Sequence, residues 1–168
     1  DNAAVPRTEK FLADIAALDP HRRVGHAVRI ARGLDTPRRQ ALLTGLGLGE
    51  GWRCLEVGCG GGSLALWLAD TVGETGQVLA TDLDTRFLDG HGRANLDVRT
   101  HNIVTDPVDE AGFDLIHARA VLGHLPDRRQ VLERLVAALR PGGWLMVEDV
   151  DFGGATAAAL AKYNTVPQ

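Results

Sequence analysis

Two acidic side chains bracket a run of glycines in this sequence. Leu55-Glu56-Val57-Gly58-Cys59-Gly60-Gly61-Gly62-Ser63 is an apolar stretch that meets a carboxylate and then breaks into glycine at alternate positions. The next apolar run, Gln77-Val78-Leu79-Ala80-Thr81-Asp82, also ends in a carboxylate. Glycines at Gly58, Gly60 and Gly62 let a strand turn sharply into a helix and let backbone come close to a ligand. Such a turn alone also serves nicotinamide and flavin cofactors, whose pyrophosphate rests on a helix N-terminus. Two details separate the readings. Ser63 stands where the dinucleotide pattern calls for its third Gly or Ala, and Glu56 sets a negative charge beside the turn. That charge opposes a pyrophosphate and suits a ligand carrying an ammonium and a sulfonium.

Six histidines offer proton chemistry near neutral pH. His117 and His124 fall at and just after the end of the fourth expected strand, Phe113 to His117, where ligands gather in an open parallel sheet. His124 is the candidate general base for a phenol or alcohol acceptor, and His117 is expected to line the cofactor pocket. His21, His26, His91 and His101 form no spaced ligand set. The two cysteines, Cys54 and Cys59, flank the first strand and its turn without further Cys or clustered His, so both read as reduced thiols and no metal is expected.

These residues need a frame to hold them. The spacing predicts helices over Thr8 to Leu18, His21 to Ala31 and Arg38 to Leu46, the last with Thr36 as N-cap and Pro37 at its first position. Strands follow at Trp52 to Val57, Gln77 to Asp82, Leu96 to His101, Phe113 to His117 and Trp144 to Val150. Between them come a helix carried by Leu64, Leu66, Trp67, Leu68 and Val72, a weaker one near Thr85 to Arg93, and an amphipathic one from Arg128 to Leu139. Pro141-Gly142-Gly143 reads as the turn before the fifth strand, and a last helix is expected over Ala155 to Tyr163. Strands that alternate with helices predict a doubly wound, mostly parallel, Rossmann-like α/β sheet with helices on both faces.

The 168 residues, 45% of them hydrophobic, suffice for one buried core. A net charge of -4 gives no broad basic field, despite the pairs Arg22-Arg23 and Arg38-Arg39, so a small ligand is favoured over nucleic acid. No apolar run reaches membrane-spanning length and the first residues lack signal-peptide character, which makes the cytoplasm the expected compartment and a membrane partner unexpected. Lysine stands only at Lys10 and Lys162 among abundant arginines, a bias that goes with a high-GC bacterial genome.

From about Leu42 to Phe152 the chain resembles the class I S-adenosylmethionine-dependent methyltransferases. LEVGCGGGS at positions 55 to 63 matches their first motif, and Ala80-Thr81-Asp82-Leu83 their acidic second-strand end. Phe113 to Leu125 and Leu139 to Asp149 match their fourth and fifth strand segments. The phrases HLPD at His124 to Asp127 and LRPGG at Leu139 to Gly143 are similar to small-molecule methyltransferases of bacterial secondary metabolism and quinone biosynthesis.

The resemblance implies that Gly58, Cys59, Gly60, Gly62 and Ser63 border the methionine portion, with Glu56 orienting its amino group. Asp82 would accept from the two ribose hydroxyls, as a carboxylate can do through both oxygens. Leu83 would lie on the adenine face, and His117 and Ala118 along the pocket. At the end of the third strand many relatives carry an aspartate for the adenine amine; this chain has Asn102, followed by Ile103, and an asparagine oxygen can accept without charge assistance. Product would be S-adenosylhomocysteine plus a methylated small organic acceptor. The Asn/Asp-Pro-Pro-aromatic tetrapeptide of many base and glutamine N-methyltransferases is absent: Ile116-His117-Ala118-Arg119 stands there. A nicotinamide-dependent oxidoreductase on the same strand-turn-helix unit, and a non-catalytic methyltransferase-like subunit, are the alternatives.

Residues 1–41 are thus expected as an N-terminal helical segment and residues 42–168 as a Rossmann-like cofactor-binding domain without its last two strands. The fifth strand would then present an open apolar edge, which predicts a homodimer or a complementing subunit there.

Overall fold

The computed structural model describes residues 13–19, 24–30, 35–109, 111–125, 127–148 and 161–164, with backbone alone for Val24–Ile30, His124 and Ala161–Asn164. Its elements are β1 (Val24–Ile30), α1 (Thr36–Gly45), β2 (Arg53–Val57), α2 (Ser63–Val72), β3 (Gln77–Asp82), β4 (Leu96–Thr100), β5 (Phe113–Arg119), α3 (Arg128–Ala138), β6 (Leu139–Glu148) and β7 (Ala161–Asn164). Residues 13–18 are helical, and short 3₁₀ turns cover Arg86–Leu88 and Leu122–His124.

The strands form one sheet in the order β4-β3-β2-β5-β6-β1-β7. Every pairing is parallel except that of β1 with β7. The chain order reverses between β2 and β5. In an open parallel sheet that reversal leaves a crevice at the carboxyl ends of the two strands, so the loops after β2 and β5 are placed to receive a ligand.

Side chains alternate between two faces, and each face buries a different layer. Cys54, Val78, Ala80, Leu115 and Met146 meet Leu43 of α1 and Leu64, Ala65, Leu68, Ala69 and Val72 of α2. The spacing of those five α2 residues puts them on one stripe of the helix. Leu55, Val57, Leu79, Ile116, Leu145 and Val147 meet Ile15 and Leu18 on one side and Val131, Leu132, Leu135 and Val136 of α3 on the other. The doubly wound α/β architecture, with helices on both faces, is therefore as expected.

Several local expectations are corrected. Of the segment His21 to Ala31, Val24–Ile30 is a strand and not a helix, and residues 21–23 and 31 lie outside the described residues. Val24, Val28 and Ile30 are β-branched, and the sheet offers this segment a partner in β6 from Gly143 to Glu148. The strand-five edge is consequently not open, because β6 lies between β5 and β1, and β7 in turn pairs with β1. The argument for a homodimer or complementing subunit at that edge falls with it. Helix α1 runs through residue 41, and its Leu43 is fully buried.

The N-cap of α1 is Asp35, whose side chain accepts from the Arg38 N–H at 3.0 Å, rather than Thr36. Thr85 to Arg93 makes only a 3₁₀ turn, ended by Gly90 and Gly92 with positive φ. Strand β6 begins directly after α3, and Pro141-Gly142-Gly143 lies within it where the register against β5 shifts, a bulge instead of a turn. Of the helix expected over Ala155 to Tyr163, residues 161–163 belong to β7; residues 155–160, and 8–12 of the first helix, lie outside the described residues. No described helix is long and apolar enough to cross a membrane.

Candidate functional site

The glycine turn leaves β2 and is tied at once to the end of β3. The N–H groups of Gly58 and Cys59 both donate to the Thr81 carbonyl, at 2.8 and 2.9 Å. Gly60 N–H donates to Asp82 Oδ2 at 2.8 Å, and Asp84 N–H to Asp82 Oδ1 at 3.2 Å. The carboxylate is thus fixed against the turn with one backbone donor on each oxygen. Each oxygen keeps a lone pair for a further donor.

The glycines divide into two kinds. A Cβ on Gly58 would lie 2.4 Å from Val121 Cγ2, and one on Gly62 would lie 2.2 Å from Leu88 Cδ2, at a backbone φ of +83°. These two are demanded by the protein's own packing. A Cβ on Gly60 or Gly61 meets nothing within 4 Å, so this part of the turn faces open space. Ser63, the first residue of α2, is exposed beside it, and Cys59 is buried beneath. Leu83, next to Asp82, is 69% exposed, an apolar surface at the mouth of the crevice.

Behind the turn lies a chain of buried charges. His117 Nδ1 stands 2.9 Å from Glu56 Oε2, and His117 Nε2 stands 2.7 Å from Glu148 Oε2. Arg39 Nε donates to the same Glu148 oxygen at 2.6 Å. All four residues are at most 3% exposed. They come from β2, β5, β6 and α1 and cross the switch point of the sheet. Burial works against a charged imidazole, but Glu56 and Glu148 outweigh it and push the His117 pKa up to about 9. Burial likewise works against the Glu148 carboxylate, and His117 and Arg39 outweigh it, holding its pKa at about 2. Removing one member of such a buried set costs on the order of 3–5 kcal/mol, because the partner is left uncompensated.

His117 therefore does not line open space, contrary to the sequence-based expectation; its ring holds Glu56 from behind. Ala118 is also buried, 1% exposed, between Val57 and Val147 in the sheet. At the end of β4, Asn102 Oδ1 accepts from Val104 N–H at 3.0 Å, and Asp106 Oδ2 accepts from Asn102 N–H at 2.8 Å. The Asn102 oxygen is thus already engaged in its own loop. Arg134 of α3 donates to the carbonyls of Ile103 and Val104 and pins that loop. The crevice beyond β5 is shaped by Ala120, the one non-glycine residue with positive φ (52°) among the described residues, whose N–H donates to the Glu148 carbonyl at 2.7 Å. The left-handed conformation costs an alanine roughly 1 kcal/mol or more, and such strain gathers at functional sites. It turns the chain so that Val121 covers Gly58. His124 closes the following 3₁₀ turn, and its side chain lies outside what the structure describes.

A cavity of about 130 Å³ opens on the opposite sheet face, among Leu55, Leu79, Thr100, His101 and Ile103. It is smaller than the few hundred Å³ that ligand sites usually offer. Burial pushes the Cys59 thiol up to about 12, with Asp82 and Glu56 adding to it, and burial also raises Cys54. Neither is a nucleophile near neutral pH. Among the described residues no three His, Cys, Asp or Glu side chains are grouped to hold a metal ion.

Sequence reasoning missed Arg39, Glu148, Ala120 and Arg134. In the sequence Arg39 stands in a basic pair with Arg38, and of the two only Arg38 is exposed. The one available signal was a carboxylate, Glu148, inside an otherwise apolar buried strand, since such a charge requires a partner.

A doubly wound sheet with a glycine turn after β2, a carboxylate at the end of β3 and a crevice at the strand reversal defines a Rossmann-like nucleoside-binding domain. Residues 55–145 match the methyltransferase domain family, and the chain belongs to it. It is 37% identical over 117 residues to the methyltransferase str2 of Strobilurus tenacellus, an alignment covering 67% of this chain and 41% of that protein. It is 34% identical over 110 residues to the 27-O-demethylrifamycin SV methyltransferase of Amycolatopsis mediterranei, covering 62% of this chain and 40% of the relative. The chain therefore spans about two fifths of the length of these relatives. Its fold is similar to the crystal structure of a SAM-dependent methyltransferase from Aquifex aeolicus, with a TM-score of 0.58 and 25% identity over 81% of this chain and 71% of that one.

Proposed function

We propose that this domain binds S-adenosylmethionine in the crevice between the glycine turn and the loops after β3, β4 and β5, and transfers its methyl group to a small organic acceptor. The observation that carries the reading is the pairing of Asp82 with Gly60 at 2.8 Å beside a turn whose Gly60 and Gly61 face open space. A carboxylate held there by backbone donors has oxygens left for the two ribose hydroxyls. Glu56, Gly58, Gly60, Gly62 and Ser63, with Cys59 beneath them, fit the methionine end, and Leu83 the adenine face. Asn102 and Ile103 border the adenine edge.

The cofactor supplies an electrophilic methyl carbon on a sulfonium. The chain's own residues orient and enclose: Asp82 fixes the ribose, Glu56 favours the ammonium, and the turn brings backbone close to the methionine portion. For a hydroxyl acceptor, His124, whose backbone lies in the 3₁₀ turn after β5, is the candidate to take the proton. The acceptor's small size is supported by the relative named for 27-O-demethylrifamycin SV.

The test is transfer of a labelled methyl group from S-adenosylmethionine, catalysed by the full chain, to a panel of phenols, alcohols and carboxylic acids. Labelled product with stoichiometric S-adenosylhomocysteine is expected. Cofactor binding without transfer to any of them, or reduction of a nicotinamide instead, would contradict the proposal.

A further inference from the structure

We infer that Arg119 is a carboxylate-binding residue of the crevice, the cation that meets the carboxylate of the cofactor's methionine end or one carried by the acceptor. The inference rests on the cofactor reading above. Its own ground is where the sheet puts this residue. Arg119 is the last residue of β5, and its Cα is paired with that of Glu148 on β6. On the other side the pairing with β2 ends one step earlier, at Val57 and Ala118, because β2 gives way there to the glycine turn. Arg119 therefore stands where the two strands part. Its carbonyl oxygen lies 3.9 Å from the place that a Cβ on Gly58 would take.

Alternation along the strand fixes the face. Leu115 belongs to the layer beneath α1 and α2, His117 reaches Glu56 and Glu148 on that same face, and Arg119 follows two residues on. This is the face on which α2 starts after the glycine turn. His117 is fully buried, and Arg119, one step nearer the crevice, is exposed.

The charges around it are the second ground. The neighbouring carboxylates are engaged: Glu56 with His117, Glu148 with His117 and Arg39, and Asp82 with the N–H groups of Gly60 and Asp84. Among the described residues no hydrogen bond or ion pair holds the Arg119 side chain. By contrast, Arg86, Arg93, Arg134 and Arg140 are each held by a carboxylate or a carbonyl. Arg128 is also unengaged, but it opens α3, which packs on the opposite face. The guanidinium of Arg119 is thus left at the crevice without a counter-charge. Its planar fork of N–H donors matches the two oxygens of a carboxylate.

A sulfonium bound alongside sharpens the requirement. Two cations in one crevice repel each other, and an anion between them removes the repulsion. The methionine end of the cofactor carries a carboxylate, and an organic-acid acceptor brings another. An acceptor held by the fork is also placed next to the methyl donor, the orientation that transfer needs.

Two matched pairs of probes, titrated by calorimetry into the full chain and into Arg119→Gln, test the role. S-adenosylhomocysteine and its decarboxylated form differ only in the methionine carboxylate. Benzoate and benzamide, added to the chain saturated with S-adenosylhomocysteine, differ in charge at nearly the same shape. Arg119→Gln is expected to weaken the carboxylate-bearing member of a pair roughly tenfold, the size of one charge-assisted hydrogen bond, and to leave its partner unchanged. Selective loss in the first pair assigns the guanidinium to the cofactor, and in the second to the acceptor. No change in either pair, or equal loss of both members, would overturn the inference. Failure of the native chain to bind either nucleoside would instead overturn the cofactor reading. A second measurement needs no variant. In ¹H–¹⁵N NMR of the native protein the Arg119 Nε–H resonance is expected to move with S-adenosylhomocysteine or benzoate and to stay in place with the carboxylate-free partner. A resonance that no probe moves would refute the inference.

Discussion

At the scale of single residues, the glycine turn does two jobs that its sequence does not distinguish. Gly58 and Gly62 have no room for a side chain, because Val121 and Leu88 already occupy the space. Gly60 and Gly61 have room on the ligand side. Gly62→Ala should therefore destabilise the fold by about 1–3 kcal/mol, through overpacking against Leu88 and a strained φ. Gly61→Ala should stay within about 0.5 kcal/mol of the native chain. Urea unfolding followed by circular dichroism measures both, and equal stability of the two variants would show that the Leu88 contact is not limiting. The turn, Glu56 and Asp82 were legible in the sequence because glycine and terminal carboxylates after apolar strands have few other uses. The partners of Glu56 were not. His117 reads locally as a strand-end histidine, and only the sheet order brings it to Glu56, which is 61 residues away in sequence.

At the scale of elements, four charged groups join β2, β5, β6 and α1, and their titration should be visible in stability. His117 has its pKa raised from 6.5 to about 9, so its contribution is complete below pH 6.5 and is lost as pH rises through about 9. Glu148 has its pKa lowered from 4.5 to about 2, so its contribution is complete above pH 4.5 and is lost as pH falls toward 2. Stability should be greatest between about pH 4.5 and 6.5 as far as this network is concerned, and should fall between pH 7 and 9.5. His117→Gln should flatten the alkaline part of that curve. Denaturant midpoints at pH 6, 8 and 9.5 decide it, and an alkaline slope that survives in the variant would assign it to other groups. The alternation of strands and helices was readable from residue 52 onward, where long apolar runs are separated by Gly and Pro. It failed at Val24–Ile30 and Thr85 to Arg93. The first is a short segment whose conformation is decided by the partner strand β6, and the second has too few apolar positions for a helix to bury.

At the scale of the whole molecule, β1 is the element that closes the sheet beyond β6. It lies between β6 and β7, with Val28 opposite Met146 on one side and Lys162 on the other. Val28→Pro removes a ladder donor from a strand paired on both sides, and should cost roughly 2–4 kcal/mol and expose the β6 edge to association. Sedimentation velocity should show concentration-dependent oligomers for the variant that the native chain lacks; a variant as stable and as dispersed as the native chain would remove β1 from its place beside β6. The central claim concerns what the crevice between β2 and β5 holds. Calorimetric titration of the full chain with S-adenosylhomocysteine and with NAD⁺, repeated on Asp82→Asn, tests it most directly. The account predicts one molecule of S-adenosylhomocysteine bound per chain and no NAD⁺ binding. It predicts affinity weakened about 10- to 100-fold in Asp82→Asn, since charge-assisted hydrogen bonds to the ribose are lost. Preference for NAD⁺, or S-adenosylhomocysteine binding indifferent to Asp82, would contradict it.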